Sequence, residues 1–323
     1  MESLIARLRQ VRREALGLNR RNQEYLVFLN PPHLVALVDH KLRTKEVLAR
    51  HQLPVPANFG CYTRQRDLGA LARDAQQRAE FVLKPARGAG GEGVVVIVGR
   101  RAGRLVKSSG ASLRVMDLVA HGADIIAGAF SLSQARDDAL LEYRLRPEPT
   151  LAAFSPGGIP DVRVVLARGV PVMTMLRLPT IASDSRANLH LGGVGVGIDL
   201  GSGRGVHAIC RDRAIASHPD THQPLSSIQV PAWREVLAIA AGSYEAIPLG
   251  YCGIDIVIDA QLGPTVLELN ARPGLSIQLA NHRGLRPLLE RLAPHTPERL
   301  SPADRVALGL EINRGVTPSA GRT

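Results

Sequence analysis

Residues 84–95 read KPARGAGGEGVV, placing Gly88, Gly90, Gly91 and Gly93 within six positions between two strand-forming stretches, Phe81 to Lys84 and Val94 to Val98. Few other features of the chain narrow its fold so far. Gly88, Gly90 and Gly93 satisfy G-x-G-x-x-G, but a dinucleotide fold needs a helix after the glycines, and here the β-branched run VVVIV follows. A P-loop needs Gly-Lys-Ser/Thr at its end, which is missing. A protein kinase uses such a loop in a hairpin, but the chain has no V-A-I-K, H-R-D or D-F-G. What remains is a strand–loop–strand flap. Four glycines exceed what a tight turn requires. Backbone N–H groups freed of side chains suit phosphate oxygens, and Lys84 adds a point charge.

A second feature lies near the end of the chain. Residues 253–270, GIDIVIDAQLGPTVLELN, read as a β-hairpin. Period-two alternation puts Glu268 and Asn270 on one face. A turn centred between Gln261 and Leu262 makes partner numbers sum to 523, so Asp255 faces Glu268. Two carboxylates opposed at ~5 Å repel and need a cation or a proton between them. Apolar neighbours argue against a merely solvated face. The oxygen donors of Asp255, Glu268 and Asn270 suit Mg²⁺. Asp259 reads as a turn residue.

Lys+Arg 40 against Asp+Glu 29 gives a net charge of +11, which favours anionic partners. Aromatic residues at 3% leave few rings for stacking bases, so no nucleic-acid role is expected. Three scattered cysteines, Cys61, Cys210 and Cys252, show no metal spacing and fit a reduced, cytoplasmic compartment; they read as small apolar residues, not nucleophiles. No signal-peptide pattern is visible, and no run approaches the ~18 apolar residues of a membrane span. The N-terminal segment reads as a basic amphipathic helix. Leu4, Leu8, Val11, Ala15 and Leu18 form its stripe, and Arg7, Arg9, Arg12 and Arg13 lie off it. It either packs on its own domain or docks on a partner or on the inner face of the membrane.

Helices are expected over 33–51, 67–80, 112–130 and 231–246. DVRVVLARGVPVMTMLRL reads as two strands joined at Arg168-Gly169, and residues 179–197 as a long loop. The tail 301–323 reads as polar and frayed, with a helix over 303–312 left open. Trp233, Met173 and Met175 read as packing residues, His40 and His51 as helix-surface residues, and His190 as a phosphate contact or a loop brace. The mixture of helices and hairpins is α+β.

Several segments together resemble the ATP-grasp superfamily: DHKLRTK at 39–45, FVLKP at 81–85, LLEYRL at 140–145, DVRVV at 161–165, SRANLHLGG at 185–193, GIDIV at 253–257 and LELNARPG at 267–274. DVRVV, SRANLHLGG, GIDIV and LELNARPG are similar to the RimK-like alpha-L-glutamate ligase group, and the correspondence runs from about residue 33 to about residue 285. The resemblance implies two α+β subdomains clamping ATP. Residues 1–32 would be a lead-in, 33–300 the ATP-grasp domain with its lid at about 76–142, and 301–323 a tail. Only 40 residues precede Lys41, fewer than the α/β domain of about a hundred residues that members carry there. A fold without a full N-terminal domain is therefore expected, completed by another chain or by a homo-oligomer.

The resemblance also implies roles. Lys84 holds the ATP phosphates and Lys41 assists, under Gly88, Gly90, Gly91 and Gly93. Glu142 and Tyr143 meet adenine, Asp161 the ribose, and Arg186 and Asn188 the phosphates. Asp255, Glu268 and Asn270 hold Mg²⁺, or Mn²⁺ in its place. Arg163, Arg177 and Arg272 are the candidates for gripping a carboxylate or its acyl phosphate. A two-residue turn at Arg168-Gly169 would put Arg163 and Arg177 on opposite faces. Either a bulge intervenes or one arginine lines the site, with Arg163 preferred. The implied activity is an ATP-dependent carboxylate–amine ligase, with glutamate as a candidate substrate and an amino acid or peptide as acceptor. The alternatives are a small-molecule kinase and a non-catalytic ATP-binding partner of a membrane protein.

Overall fold

Among the described residues every strand pairing is antiparallel, and the strands divide into two sheets. The structure is a computed structural model describing residues 12–88, 90–131 and 135–315. The first sheet comprises β1 (Asn58–Tyr62), β2 (Phe81–Pro85), β3 (Val95–Arg101), β4 (Arg104–Lys107), β5 (Ser112–Leu113) and β6 (Ala139–Glu142), in the order β1-β6-β2-β3-β4-β5. Alternation along β2 sends Phe81 and Leu83 to one face, where they pack with Leu71 and Leu118 of the helices Leu68–Gln76 and Val115–Ala127. Val82 and Lys84 take the other face. Across the ladder Val82 pairs with Glu142 and Lys84 with Leu140, so Lys84 and Glu142 share that face.

The second sheet comprises β7 (Asp161–Ala167), β8 (Val170–Leu178), β9 (Val194–Ile198), β10 (Gly205–Cys210), β11 (Arg213–Ala214), β12 (Tyr251–Asp259) and β13 (Gly263–Asn270), in the order β11-β10-β9-β8-β7-β12-β13. Both of its faces are buried, which explains the nearly unbroken apolar runs. Val162, Val164 and Leu166 pack towards the helix Trp233–Ala246, whereas Val165 and Ala167 pack with residues of the helices Ser276–Ala280, Arg286–Leu292 and Pro302–Asn313. Asp161 and Arg163 continue the latter face beyond the helical cover.

Two bulges set what that face carries. In the β7–β8 hairpin, Leu166 pairs with Pro171 but Val165 pairs with Met173, leaving Val172 as an extra residue. Beyond it Arg163 lies opposite Met175 and Asp161 opposite Arg177, so both arginines reach one face. In the β12–β13 hairpin the turn is centred on Gln261, not between Gln261 and Leu262. Asp259 Oδ1 accepts from the N–H groups of Gln261 and Leu262, each at 2.9 Å, and Asp259 pairs with Gly263. Leu267 is then the extra residue, and beyond it Asp255 does face Glu268.

Other expectations change. Residues 33–51 form two helices, Pro32–Val38 and Lys41–Arg50, because the chain breaks at Asp39-His40 so that Lys41 N–H can dock on Ala86 O at 2.9 Å. His40 is therefore no surface residue. It caps the second helix, is 3% exposed and holds Asp138 through Nε2. His51 is exposed as expected. Up to Asn313 the expected polar tail is a packed helix, whose buried Arg305 pairs with Glu245 and stacks on Tyr244. Leu4, Leu8, Val11, Arg7 and Arg9 of the N-terminal stripe reading lie outside the described residues, as do residues 316–323. At its described end Leu18 is exposed and Leu16 buried, the reverse of the expected stripe. Trp233 packs with Nε1 donating to Leu200 O, and Met173 and Met175 are buried.

Candidate functional site

Lys84 and two lysines of the helix Lys41–Arg50 gather on the face of the first sheet that carries Glu142. Glu142 is 2% exposed, and its carboxylate takes Lys84 Nζ at 2.7 Å and Lys45 Nζ at 2.7 and 2.9 Å. Lys45 lies one turn beyond Lys41 on the same helix. Burial and the neighbouring Lys84 charge push Lys45 down to about 7. Burial works against the charge on Lys84 too, but Glu142 outweighs it and raises its proton affinity. Glu142 itself is held below its ordinary value by the two lysines, against burial. Lys41 is lowered by burial, and its Nζ donates to Gly88 O, tying the helix to the glycine loop.

The loop itself requires glycine where the sequence supplies it. Gly93 has φ +70°, and a Cβ there would meet the Phe130 ring at 2.6 Å; its carbonyl takes His121 Nε2 at 2.8 Å. Gly90 and Gly91 also have positive φ and lie against Asn188 and Arg186, so the flap reaches over the 179–193 loop. The side chain of Asn188 braces that loop by accepting His190 N–H at 3.0 Å, while His190 itself is exposed.

On the second sheet the bulges assemble alternating charges. Asp255 is fully buried. Arg163 grips it with Nε at 2.7 Å and Nη2 at 2.6 Å, and Arg177 Nη2 adds a third bond at 2.6 Å. These guanidiniums overcome burial and hold Asp255 down at about 2. Asp161 takes Arg177 Nε at 2.6 Å, yet burial, reinforced by the Asp255 charge, pushes it up to about 7. Asp161, expected on a ribose, is thus a member of the arginine network. Glu268 and Asn270 are half-buried on the same face. Among the described residues Glu268 has no cation within 4 Å, and it lies directly opposite Asp255 across the β12–β13 ladder. Its charge adds to that of Glu142 in favouring the ammonium of Lys84, and it partly offsets the burial that lowers Lys41.

Three of the expected site residues are engaged within the chain. The Glu142 side chain lies between Lys45 and Lys84. Tyr143 N–H donates to Ala57 O at 2.9 Å and its hydroxyl to Gln261 Oε1 at 3.0 Å. Arg272 forks Asp39 at 3.1 and 3.2 Å on the surface. Lys45 was missed, although its i, i+4 spacing from Lys41 puts the two on one helix face. The cysteines match expectation, with burial pushing Cys61 up to about 11 and Cys252 to about 12.

The donors suit a hard cation in kind. Among the described residues no cluster of three or more acidic, histidine or cysteine side chains forms a metal cage. Glu268 and Asn270, on one face, instead suit Mg²⁺ that keeps waters and shares phosphate oxygens, while Asp255 opposite Glu268 gives both of its oxygens to Arg163 and Arg177. Among the described residues no helix is long and apolar enough to cross a membrane.

A search of curated protein sequences finds no match. Among solved structures the chain is similar to the ATP-grasp ligase PsnB complexed with minimal precursor, at 19% identity and a TM-score of 0.44, covering 83% of this chain and 64% of that one. The chain thus spans less than two thirds of the PsnB length. It is also similar to D-alanine–D-alanine ligase from Bacillus anthracis, at 14% identity and a TM-score of 0.43, covering 88% and 71%. D-cycloserine synthetase DcsG matches at 18% identity and a TM-score of 0.45, covering 91% and 80%. A sequence model of sugar-transfer associated ATP-grasp proteins matches residues 20–293, most of the chain, and on that match the protein belongs to the sugar-transfer associated ATP-grasp family.

Proposed function

We propose that the chain joins a carboxylate to an amine at the expense of ATP, through an acyl phosphate. The observation that carries this reading is the glycine flap, with Lys41 tied to its Gly88 and Lys84 closing the strand before it, lying against Arg186 and Asn188 of the second sheet's 179–193 loop, while Glu268 and the Asp161–Arg177–Asp255–Arg163 network line that sheet's charged face. A carboxylate oxygen attacks the terminal phosphorus of ATP, and the bond to ADP breaks. An amine then attacks the acyl carbon, phosphate leaves with the C–O bond electrons, and the amine loses a proton. Such a sequence needs no protein nucleophile; positioning and charge neutralisation dominate phosphoryl transfer.

In this reading Lys84, Lys41 and the N–H groups around Gly90, Gly91 and Gly93 bind the phosphate chain, with Arg186 and Asn188 closing it from below. Arg163 and Arg177 direct Nε and Nη2 at acids and keep Nη1 for a carboxylate or acyl phosphate. Arg272 joins them once it releases Asp39. Asp255, Glu268 and Asn270 would hold Mg²⁺, which supplies charge neutralisation across phosphate oxygens when bound. Residues 33–300 form the catalytic unit, with a lid at about 76–142, acting in the cytoplasm. Glutamate is the first carboxylate or amine to test, because LELNARPG and SRANLHLGG resemble RimK-like ligases.

The test is ATP-dependent phosphate release across amino acids and short peptides, with mass spectrometry of the products. A ligase frees phosphate and gains an amide, whereas a kinase leaves the phosphoryl group on its product. Glu268→Ala is expected to abolish turnover; undiminished release in that variant would remove the acid pair from the mechanism.

A further inference from the structure

Lys45 has no task in the reaction just outlined, yet it is 4% exposed and donates to both oxygens of Glu142. Lys84 holds the same carboxylate from β2, at 2.7 Å. One negative charge therefore has two ammonium partners, arriving from two different elements. Forming a buried ion pair returns little net stability, but removing one member of such a pair is strongly unfavourable. This asymmetry matters for Lys84. To bind a phosphate, its ammonium must turn away from Glu142. Were Lys84 the sole partner, that turn would strand a carboxylate that is 2% exposed. With Lys45 present, Glu142 keeps two hydrogen bonds and a counter-charge throughout.

Placement supports the same view. Lys45 stands on the helix Lys41–Arg50, whose start is pinned to Ala86 by the Lys41 backbone N–H. It approaches Glu142 from this helix and not from β2, so it has no need to move when the Lys84 side chain does. The lysine beside it on the helix face, Lys41, points instead to the glycine loop.

We propose that Lys45 is a positioning residue that takes over the neutralisation of Glu142, so that Lys84 can leave for the nucleotide phosphates. The proposal rests on reading the glycine flap and Lys84 as a nucleotide site. Charge on the enzyme is conserved in the step, since one ammonium is exchanged for another at the same carboxylate and no proton need transfer.

The experiment is calorimetric titration of the full chain with ATP and Mg²⁺. It compares wild type, Lys45→Met, Lys45→Arg and the double variant Lys45→Met with Glu142→Gln. Lys45→Met is expected to weaken ATP binding about tenfold or more, because Lys84 becomes the only partner of a buried charge. The double variant is expected to return to within about threefold of wild type, because a neutral amide can be left without a cation. Lys45→Arg, which keeps the charge, is expected to stay close to wild type. A structural role alone would not give rescue by a second substitution that removes the anion. Wild-type affinity in Lys45→Met overturns the hand-over and leaves the nucleotide site standing. A double variant as weak as Lys45→Met also overturns it, because Lys45 then acts on the ligand or the fold directly. Should Lys45→Met fail to fold, the double variant alone decides by the same criterion. A wild-type chain that takes up no ATP overturns the reading of a nucleotide site and the hand-over with it.

Discussion

Asp161 shows how burial turns an ordinary acid into a group that senses pH. Its carboxyl is raised to about 7 although Arg177 lies 2.6 Å away, because burial and the fully buried Asp255 outweigh a single guanidinium. A folded value above the unfolded one means that the folded chain binds the proton more tightly. The corresponding stability is complete below about pH 4 and is lost as pH rises towards 7. Replacing the acid with a neutral amide, Asp161→Asn, should therefore flatten the decline in melting temperature between pH 4 and pH 7. An unchanged slope would assign that decline to other groups. Individual residues were legible in the sequence where a motif named them: Lys84 before the glycines, Asp255 opposite Glu268, Asn270 two positions on. His40 was not, because nothing in HLVALVDHKLRTK marks a helix break; the docking of Lys41 on Ala86 creates it. Lys45 was visible as a helix lysine, but its partner lies 97 positions away, a distance that no local pattern spans.

At the scale of elements the expected strands, helices and order were mostly right, and the differences lie in register. Alternation alone put Arg163 and Arg177 on opposite faces, and Val172 reconciles them. It also reached the pairing of Asp255 with Glu268 from a misplaced turn, with Leu267 making up the difference. Leu267 has no glycine or proline beside it, so cross-strand pairing selects that bulge, whereas Pro171 directly before Val172 is a local mark of the other. The glycine flap is the opposite case, since its conformation is dictated locally. Gly93→Ala combines a left-handed backbone with a Cβ 2.6 Å from Phe130. The backbone strain alone is about 1–2 kcal/mol. The expected outcome is a rise in KM for ATP of roughly tenfold with a small change in Tm, since the flap lies outside the packed core. A variant with wild-type KM would show that the flap does not contact the nucleotide.

The whole molecule joins its two sheets through a strapped linker. Arg146 N–H donates to Asp259 Oδ2 at 2.6 Å, and Tyr143 and Arg146 both reach Gln261 at the hairpin turn. Arg144 and Arg146 also converge on Glu80, at 3.0 and 2.5 Å. Glu80 thus ties the start of β2 to the segment that follows β6. Its pairs are partly solvated, so Glu80→Ala should lower global stability by less than about 1 kcal/mol. Amide exchange over residues 81–142 should nevertheless quicken relative to residues 161–270; equal exchange in both regions would mean that the strap does not govern lid motion. None of these long-range ties has a sequence signature. They join residues of ordinary type that only the fold makes neighbours.

The two bulges have a consequence for how chains of this kind can diverge. Each stands between a hairpin turn and the charged face, so the face depends on residue count as much as on residue identity. Loss of Val172 or Leu267 would rotate everything beyond it by one pleat and send Arg177, or Glu268 and Asn270, towards the apolar side. Selection can therefore accept many exchanges of side chain in these hairpins but few gaps, and descendants that keep the chemistry should agree in hairpin length even where their letters have drifted apart.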